Sequence, residues 1–313
     1  MVPLAQEERV KSKGKAARRG LTRRDFLAKT CLAGAVVAAA PSCRAAEGGK
    51  HGVPVGERPA VLTDLTRCIG CRSCMRACRD ANDLPVTGPD ESIRLTKREE
   101  LSVFQWTAVN PERGRDQQGH PAVRNVKRQC MHCLEPACAS VCPVGALHQT
   151  PQGPVIYRAE RCIGCRYCMV ACPFEVPRFD WNSGLTPVIG KCQFCAPQRL
   201  FEGLPTACSA ACPTGALKFG NRTGLVFEAR ARIESRAAYY VPRIYGEEEI
   251  GGTSWLYISD VPFEELGFKK LGKRPLPSLT WDVVSRLPAV ALTVAVLLGL
   301  VSAGLSKKGE EHP

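Results

Sequence analysis

The sequence predicts an α+β body of small cysteine-rich units in tandem, carrying loop inserts and followed by one C-terminal transmembrane helix. Three observations predict it. Sixteen of the 18 cysteines fall into four quartets between residues 68 and 212. Two short segments around those quartets recur further along the chain, the mark of an internal duplication. Residues 287 to 305 contain no charged side chain.

A chain of 313 residues is long enough for one or two packed domains. Aromatic residues make up only 6%, which suggests a body that leans on something besides a large apolar core. Bound metal centres would supply it. The formal net charge of +13 first suggests nucleic acid or an anionic surface. Residues 1 to 29 alone hold nine Lys/Arg against Glu7, Glu8 and Asp25, which is +6 of that total. The remainder is counted with neutral thiols, and a cluster held by four thiolates adds about two negative charges. No basic helix or aromatic platform accompanies the charge, so it does not point to nucleic acid.

Residues 1–46 read as an export signal. A long basic region leads to Thr22-Arg23-Arg24-Asp25-Phe26-Leu27 and then to a small, apolar run from Phe26 to Ala40 interrupted by Lys29. The twin arginine followed by Phe and Leu resembles a Tat signal, with the Lys that often follows displaced to Lys29. Cleavage is expected between Ala40 and Ala46. That route exports folded proteins, so metal clusters would be built in the reducing cytoplasm first.

The expected body, residues 60–225, holds the quartets. The first is Cys68, Cys71, Cys74 and Cys78; the second is Cys130, Cys133, Cys138 and Cys142. The third is Cys162, Cys165, Cys168 and Cys172; the fourth is Cys192, Cys195, Cys208 and Cys212. In such a run the first three cysteines wrap three corners of one cubane, and the fourth comes too soon to close the same cluster. In two-cluster ferredoxins that fourth cysteine ligates the neighbouring cluster, so quartets operate in pairs. Pro143, Pro173 and Pro213 follow the last cysteines, as in the bacterial run, whereas Arg79 takes that place in the first quartet.

Two other uses of cysteine fit poorly. Zinc ribbons need four ligands in two pairs, and the triplets 68/71/74 and 162/165/168 leave a surplus thiolate. Disulfides suit an exported chain, yet cysteines three apart in tight loops cannot all be bridged at the usual Cβ separations.

Arg67-Cys68-Ile69-Gly70-Cys71-Arg72 recurs as Arg161-Cys162-Ile163-Gly164-Cys165-Arg166, and Cys142-Pro143-Val144-Gly145-Ala146-Leu147 recurs as Cys212-Pro213-Thr214-Gly215-Ala216-Leu217. These are ferredoxin half-units in tandem. Residues 146–161 read as two short strands around a Pro/Gly turn at Pro151 to Pro154. Each fourth cysteine is expected to open, or sit within, a short helix. The inserts Arg79 to Gln129 and Ala196 to Ala207 are expected to be partner-facing loops.

Residues 226–286 read as a C-terminal extension of the body and a linker. Leu287 to Leu305 then reaches about 28 Å as a helix, bracketed by Arg286 and by Lys307 and Lys308, and is expected to be a membrane anchor. It contains no His, Asp, Glu, Lys or Arg, and so offers neither a haem ligand nor a proton relay. Residues 306–313 would be a short cytoplasmic tail.

Other residues carry less. His132 lies within the second quartet, but four cysteines complete that site, so it reads as a supporting or packing residue. Gly251-Gly252-Thr253 reads as a turn. Trp106, Trp181 and Trp255 read as core or interface residues, and Glu247 to Glu249 as a solvated run. No nucleophile with a base, and no carboxylate pair, points to bond chemistry, so no catalytic residue is expected.

The quartets, the last with the spacing C-x2-C-x12-C-x3-C, resemble the four-cluster ferredoxin-like electron-transfer subunits of membrane-bound oxidoreductases. Within that group the chain resembles the HybA-type subunit of periplasm-facing nickel-iron hydrogenases. The stretches that carry this are Lys127-Arg128-Gln129-Cys130-Met131-His132-Cys133, Cys165 to Pro173, and Tyr245-Gly246-Glu247 through Gly251-Gly252-Thr253 to Asp260-Val261-Pro262-Phe263. The resemblance covers roughly residues 20 to 305.

Carried over, the family pattern implies four 4Fe-4S clusters. Cluster 1 would take Cys68, Cys71, Cys74 and Cys212, and cluster 2 Cys192, Cys195, Cys208 and Cys78. Cluster 3 would take Cys130, Cys133, Cys138 and Cys172, and cluster 4 Cys162, Cys165, Cys168 and Cys142. The resemblance implies electrons from hydrogen oxidation at hydrogenase large and small subunits, passed to an integral membrane quinone-interacting subunit. It also implies the inner membrane, with clusters on the periplasmic side and a cytoplasmic C-terminus. Two alternatives stand beside it: the electron-transfer subunit of a molybdenum oxidoreductase of the formate dehydrogenase or DMSO/polysulfide reductase type, and a cluster-carrying assembly or scaffold protein.

Overall fold

The computed structural model describes residues 57–86, 98–182 and 188–308. The expected export signal, with Cys43, lies outside the described residues. The chain divides into two units, Met1–Lys50 and His51–Pro313, and all the described residues belong to the second.

The body is organised around a three-stranded sheet whose central strand β1 (Pro59–Asp64) is buried along nearly its whole length. Pro59 occupies its first position, where a missing N-H does least harm. The helix α1 (Ser73–Ala81) follows, carrying Cys74 and Cys78 on its buried side. The insert after it is a long hairpin, β2 (Ala108–Arg115) and β3 (Pro121–Arg128), paired antiparallel from Ala108 opposite Arg128 to Arg115 opposite Pro121. Its turn is built by Asp116, whose Oδ1 accepts from the backbone N-H groups of Gln118 and His120. The insert was expected to be loop, and residues 87–97 of it lie outside the described residues.

Next come the short helix α2 (Ala137–Ser140) and the strands β4 (Leu147–Gln149) and β5 (Val155–Tyr157), antiparallel around the turn anticipated at residues 151–154. The helix α3 (Tyr167–Ala171), the short pair β6 (Arg178–Phe179) and β7 (Ile189–Gly190), and the helix α4 (Ala207–Ala210) complete the cysteine-rich region. Strand β8 (Leu217–Asn221) then pairs antiparallel with β1. Helix α5 (Arg222–Ser235) is capped by Asn221, whose side chain accepts from the N-H of Thr223. Strand β9 (Trp255–Ile258) pairs parallel with the other edge of β1, giving the order β8-β1-β9.

Two apolar clusters flank this sheet. On one face, Ala60, Leu62, Leu256 and Ile258 pack against Leu225, Ala229 and Ile233 of α5. On the other, Val61, Trp255 and Tyr257 join Phe194, Tyr245, Phe263 and Phe268, together with Cys74 and Cys208. The few aromatic residues are thus concentrated beside the cysteines. Trp255 is fully buried, as expected of a core residue, whereas Trp181 is exposed. Glu247 to Glu249 is not the solvated run anticipated. Glu249 is buried and accepts from the Gly246 N-H and the Arg243 guanidinium, because the preceding turn folds the chain back onto it.

The C-terminal transmembrane helix in the expected fold class is corrected. Residues 276–308 form two helices, α6 (Leu276–Val284) and α7 (Leu287–Lys308), but among the described residues no helix is long and apolar enough to cross a membrane.

Candidate iron-sulfur cluster sites

The duplication seen in the sequence is repeated in the backbone. Gly70 and Gly164 adopt φ of 73° and 70°, and the arginines two residues on, Arg72 and Arg166, adopt 58° and 60°. Each arginine caps a helix, α1 or α3, that places the third cysteine, Cys74 or Cys168, in a buried position. Gly145 and Gly215 match in the same way at 63° and 62°. The Cys-Ile-Gly-Cys loop turns at a left-handed glycine, and at Gly70 an added Cβ would also meet Asn125 Oδ1 at 2.6 Å. The fourth cysteine sits within a helix only at Cys78; Cys142, Cys172 and Cys212 lie just past α2, α3 and α4. It is the third cysteine that each short helix carries.

The sixteen quartet cysteines are free thiols. Cys68, Cys71, Cys74 and Cys212 line one cavity. A second is lined by Cys78, Cys192, Cys195 and Cys208. Burial pushes the Cys133 thiol well above its ordinary range, and the thiols that raise it further are Cys130, Cys138 and Cys172. Burial raises Cys168 to about 11, with Cys162, Cys165 and Cys142 adding to the rise. Each fourth cysteine therefore lies among thiols of another quartet.

The four groups are arranged in series. Cys74, pushed up to about 12 by burial, is also raised by Cys208 of the second cavity. Cys192, likewise pushed up to about 12, is raised by Cys130 of the third group. Cys138, raised by burial and by Cys130, is also raised by Cys168 of the fourth. The two middle groups are mostly buried, whereas Cys71 and Cys165, in the outer two, are exposed.

These groups suit an object larger than one ion. Among the described residues no three His, Cys, Asp or Glu side chains converge closely enough to hold a single metal ion. One zinc at about 2.3 Å from each sulfur would require that convergence. Four mostly buried thiols gathered around one cavity match instead the four corner ligands of a metal-sulfide cube. Backbone N-H groups approach the sulfurs, with Phe194 N at 3.4 Å from Cys192 Sγ and Leu147 N at 3.4 Å from Cys142 Sγ, as clusters require of their surroundings.

Residues 67–146 and residues 122–222 each match a 4Fe-4S dicluster domain model. Hydrogenase-2 operon protein HybA of Escherichia coli O157:H7 is 32% identical over 326 residues, covering 93% of this chain and 98% of that protein. This chain belongs to the 4Fe-4S dicluster family of iron-sulfur electron-transfer subunits. A protein of Nitratidesulfovibrio vulgaris (strain Hildenborough) is 42% identical over 285 residues, 89% of this chain and 75% of its own. The formate dehydrogenase-O iron-sulfur subunit of Escherichia coli (strain K12) is 31% identical over 268 residues, 82% of this chain and 87% of its own.

As a member of the dicluster family, the chain binds 4Fe-4S clusters, and its buried surroundings for them include residues that the cysteine pattern did not single out. His132 is fully buried, edge-on to Phe194 at 4.9 Å, and its Nδ1 accepts the N-H of Val155 at 3.1 Å. Burial, with Lys191 and Lys127, holds its pKa well below the ordinary value, so it is a neutral packing residue. Desolvation works against the Lys127 ammonium, yet Cys208, Cys74, Tyr257 and Cys192 together more than offset it and raise its pKa. Lys127 stood out in the sequence only as part of the Lys-Arg-Gln-Cys stretch before Cys130.

Proposed function

We propose that this chain is the electron relay between a nickel-iron hydrogenase and a membrane partner that reduces quinone, working through four 4Fe-4S clusters. The ligand sets are Cys68, Cys71, Cys74 and Cys212; Cys192, Cys195, Cys208 and Cys78; Cys130, Cys133, Cys138 and Cys172; and Cys162, Cys165, Cys168 and Cys142. The single observation that carries a relay is an unbroken series of neighbours, Cys74 with Cys208, Cys192 with Cys130 and Cys138 with Cys168, each pair sharing one packed apolar cluster, which joins two exposed ends through a buried middle. A relay needs no substrate pocket or general base, only closely spaced centres and two accessible ends.

When bound, each cluster accepts and passes on one electron. The protein's own part is to hold the spacing, exclude water from the middle, and orient N-H groups toward the sulfurs. A hydrogenase partner is supported by the HybA relative, whose match runs over nearly the full length of both chains. The twin arginine at Arg23 and Arg24 supports export of the loaded protein, with its clusters on the periplasmic side. A formate dehydrogenase partner is the second reading, supported by the iron-sulfur subunits at 31% to 32% identity.

Affinity capture from gently solubilised membranes, with mass spectrometry and assays of hydrogen- and formate-dependent quinone reduction, distinguishes them. Hydrogenase subunits with hydrogen-dependent activity are the expected result. A molybdopterin subunit with formate-dependent activity alone would overturn the hydrogenase assignment and leave the relay standing.

A further inference from the structure

Two lysines are buried among the cysteines, Lys127 at 2% and Lys191 at 1% exposure. Among the described residues their hydrogen bonds go to no carboxylate. Lys127 Nζ donates to Gln129 Oε1 at 2.9 Å, and Lys191 Nζ donates to the carbonyls of Val155 and Cys192 at 2.6 and 2.8 Å. Burying an ammonium without a counter-anion is strongly unfavourable, so something anionic must lie beside each.

Their positions say what it is. Lys127 lines both the cavity of Cys68, Cys71, Cys74 and Cys212 and the cavity of Cys78, Cys192, Cys195 and Cys208. It is clamped there. Gln129 Nε2 donates to Tyr257 Oη at 2.7 Å, Tyr257 Oη donates to the Lys127 carbonyl at 2.8 Å, and the Trp255 ring lies 4.3 Å from Nζ. Lys191 Nζ is held on the carbonyl of Val155, which packs in one apolar cluster with Cys138 of the third group, and the ammonium acts electrostatically on Cys138 and Cys172. At Cys168 of the fourth group the foremost charged neighbours are the thiols Cys162, Cys165 and Cys142.

We propose that Lys127 and Lys191 are fixed countercharges that set the reduction potentials along the relay, Lys127 for the first two clusters and Lys191 for the third. This rests on the four-cluster reading of the function. By formal charges, a cube held by four thiolates carries −2 when oxidised and −3 when reduced. The electron that reduces one cluster leaves a reduced neighbour, which returns to −2, so each step moves one negative charge. An ammonium fixed beside a cluster favours its −3 state, and one shared by two clusters offsets the repulsion between adjacent anions. The inner relay is thereby kept reducible although it is screened from water.

The test is an EPR-monitored redox titration of the full-length holoprotein as wild type, K127M, K127R and K191M, with iron and acid-labile sulfide measured on each. K127M is expected to make the first two clusters harder to reduce, by about tenfold in the reduced-to-oxidised ratio at fixed potential, or about 59 mV for one electron. K191M should do the same to the third cluster. The cluster at Cys162 should not move in either, and K127R should stay near wild type. Full iron content with every midpoint unmoved, or equal shifts in all four clusters, would overturn the proposal. Cluster loss in K127M but not in K127R would support it, since the positive charge would then be needed to hold the pair; loss in both would overturn it. Failure of the four-cluster reading would show separately, as a shortage of iron in the wild type.

Discussion

Cys130 and Cys192 come from different quartets and different halves of the duplication, yet their buried side chains pack together with Val176 in one apolar cluster. Cys130 is also the foremost charged neighbour of Cys192. In the proposed relay this packing joins the two cluster pairs.

Replacing Cys192 by serine should therefore interrupt the relay at its middle. Iron content is expected to fall from about sixteen to about twelve atoms per chain, one cube of four. Electron transfer from end to end should be lost, while clusters on the donor side still reduce. Unchanged end-to-end transfer with twelve iron atoms would mean that electrons do not pass through this site.

Exposure predicts the order in which the metal is lost. Cys71 and Cys165 are exposed, whereas Cys78, Cys192 and Cys195 are buried. Mild oxidant should release about half of the iron, from the two outer clusters, in a fast phase, and the rest slowly. After that fast phase at pH 8, an alkylating reagent should label Cys71 and Cys165 first. Cys74 of the first group, pushed up to about 12, remains protonated there, and the thiolate is the reactive form, so its labelling should rise only as pH climbs toward that value, while Cys192 stays protected in its retained cluster. Peptide mapping by mass spectrometry reads the order, and simultaneous labelling of Cys192 and Cys71 would contradict it.

The hairpin is tied to the segment after β9 by one ion pair. Asp260 is fully buried, and its carboxylate accepts from the guanidinium of Arg124 on β3, Nε to Oδ1 at 2.7 Å. Arg124→Ala leaves that carboxylate unpaired in the interior and should destabilise the protein by about 3 kcal/mol. The double variant Arg124→Met with Asp260→Asn should recover much of the loss. Chemical denaturation of the holoprotein measures both, and a loss below about 1 kcal/mol for Arg124→Ala would mean that water reaches Asp260.

What was legible in the sequence is what spacing alone dictates. The quartets, the duplicated Cys-Ile-Gly-Cys-Arg loops and the strand pair around residues 151–154 depend on residues near one another in the chain. The parallel pairing of Val61 with Trp255 was not legible, because it joins distant segments with no shared pattern. Lys127 and Lys191 were hidden for a related reason: a single lysine reads as a surface residue unless its anionic neighbours, which come from other quartets, are known. Glu249 was misjudged in the same way, as one of three glutamates in a row whose burial depends on Arg243 and the Gly246 N-H. The C-terminal run shows the converse error, since an uncharged stretch gave the helix α7 without giving a membrane span.

The most direct test of the account is the metal content of the purified, anaerobic, full-length protein, measured as iron, acid-labile sulfide and zinc together with its Mössbauer spectrum. The account predicts about sixteen iron and sixteen sulfide per chain, all in 4Fe-4S form. About eight iron, or zinc in place of iron, would contradict it.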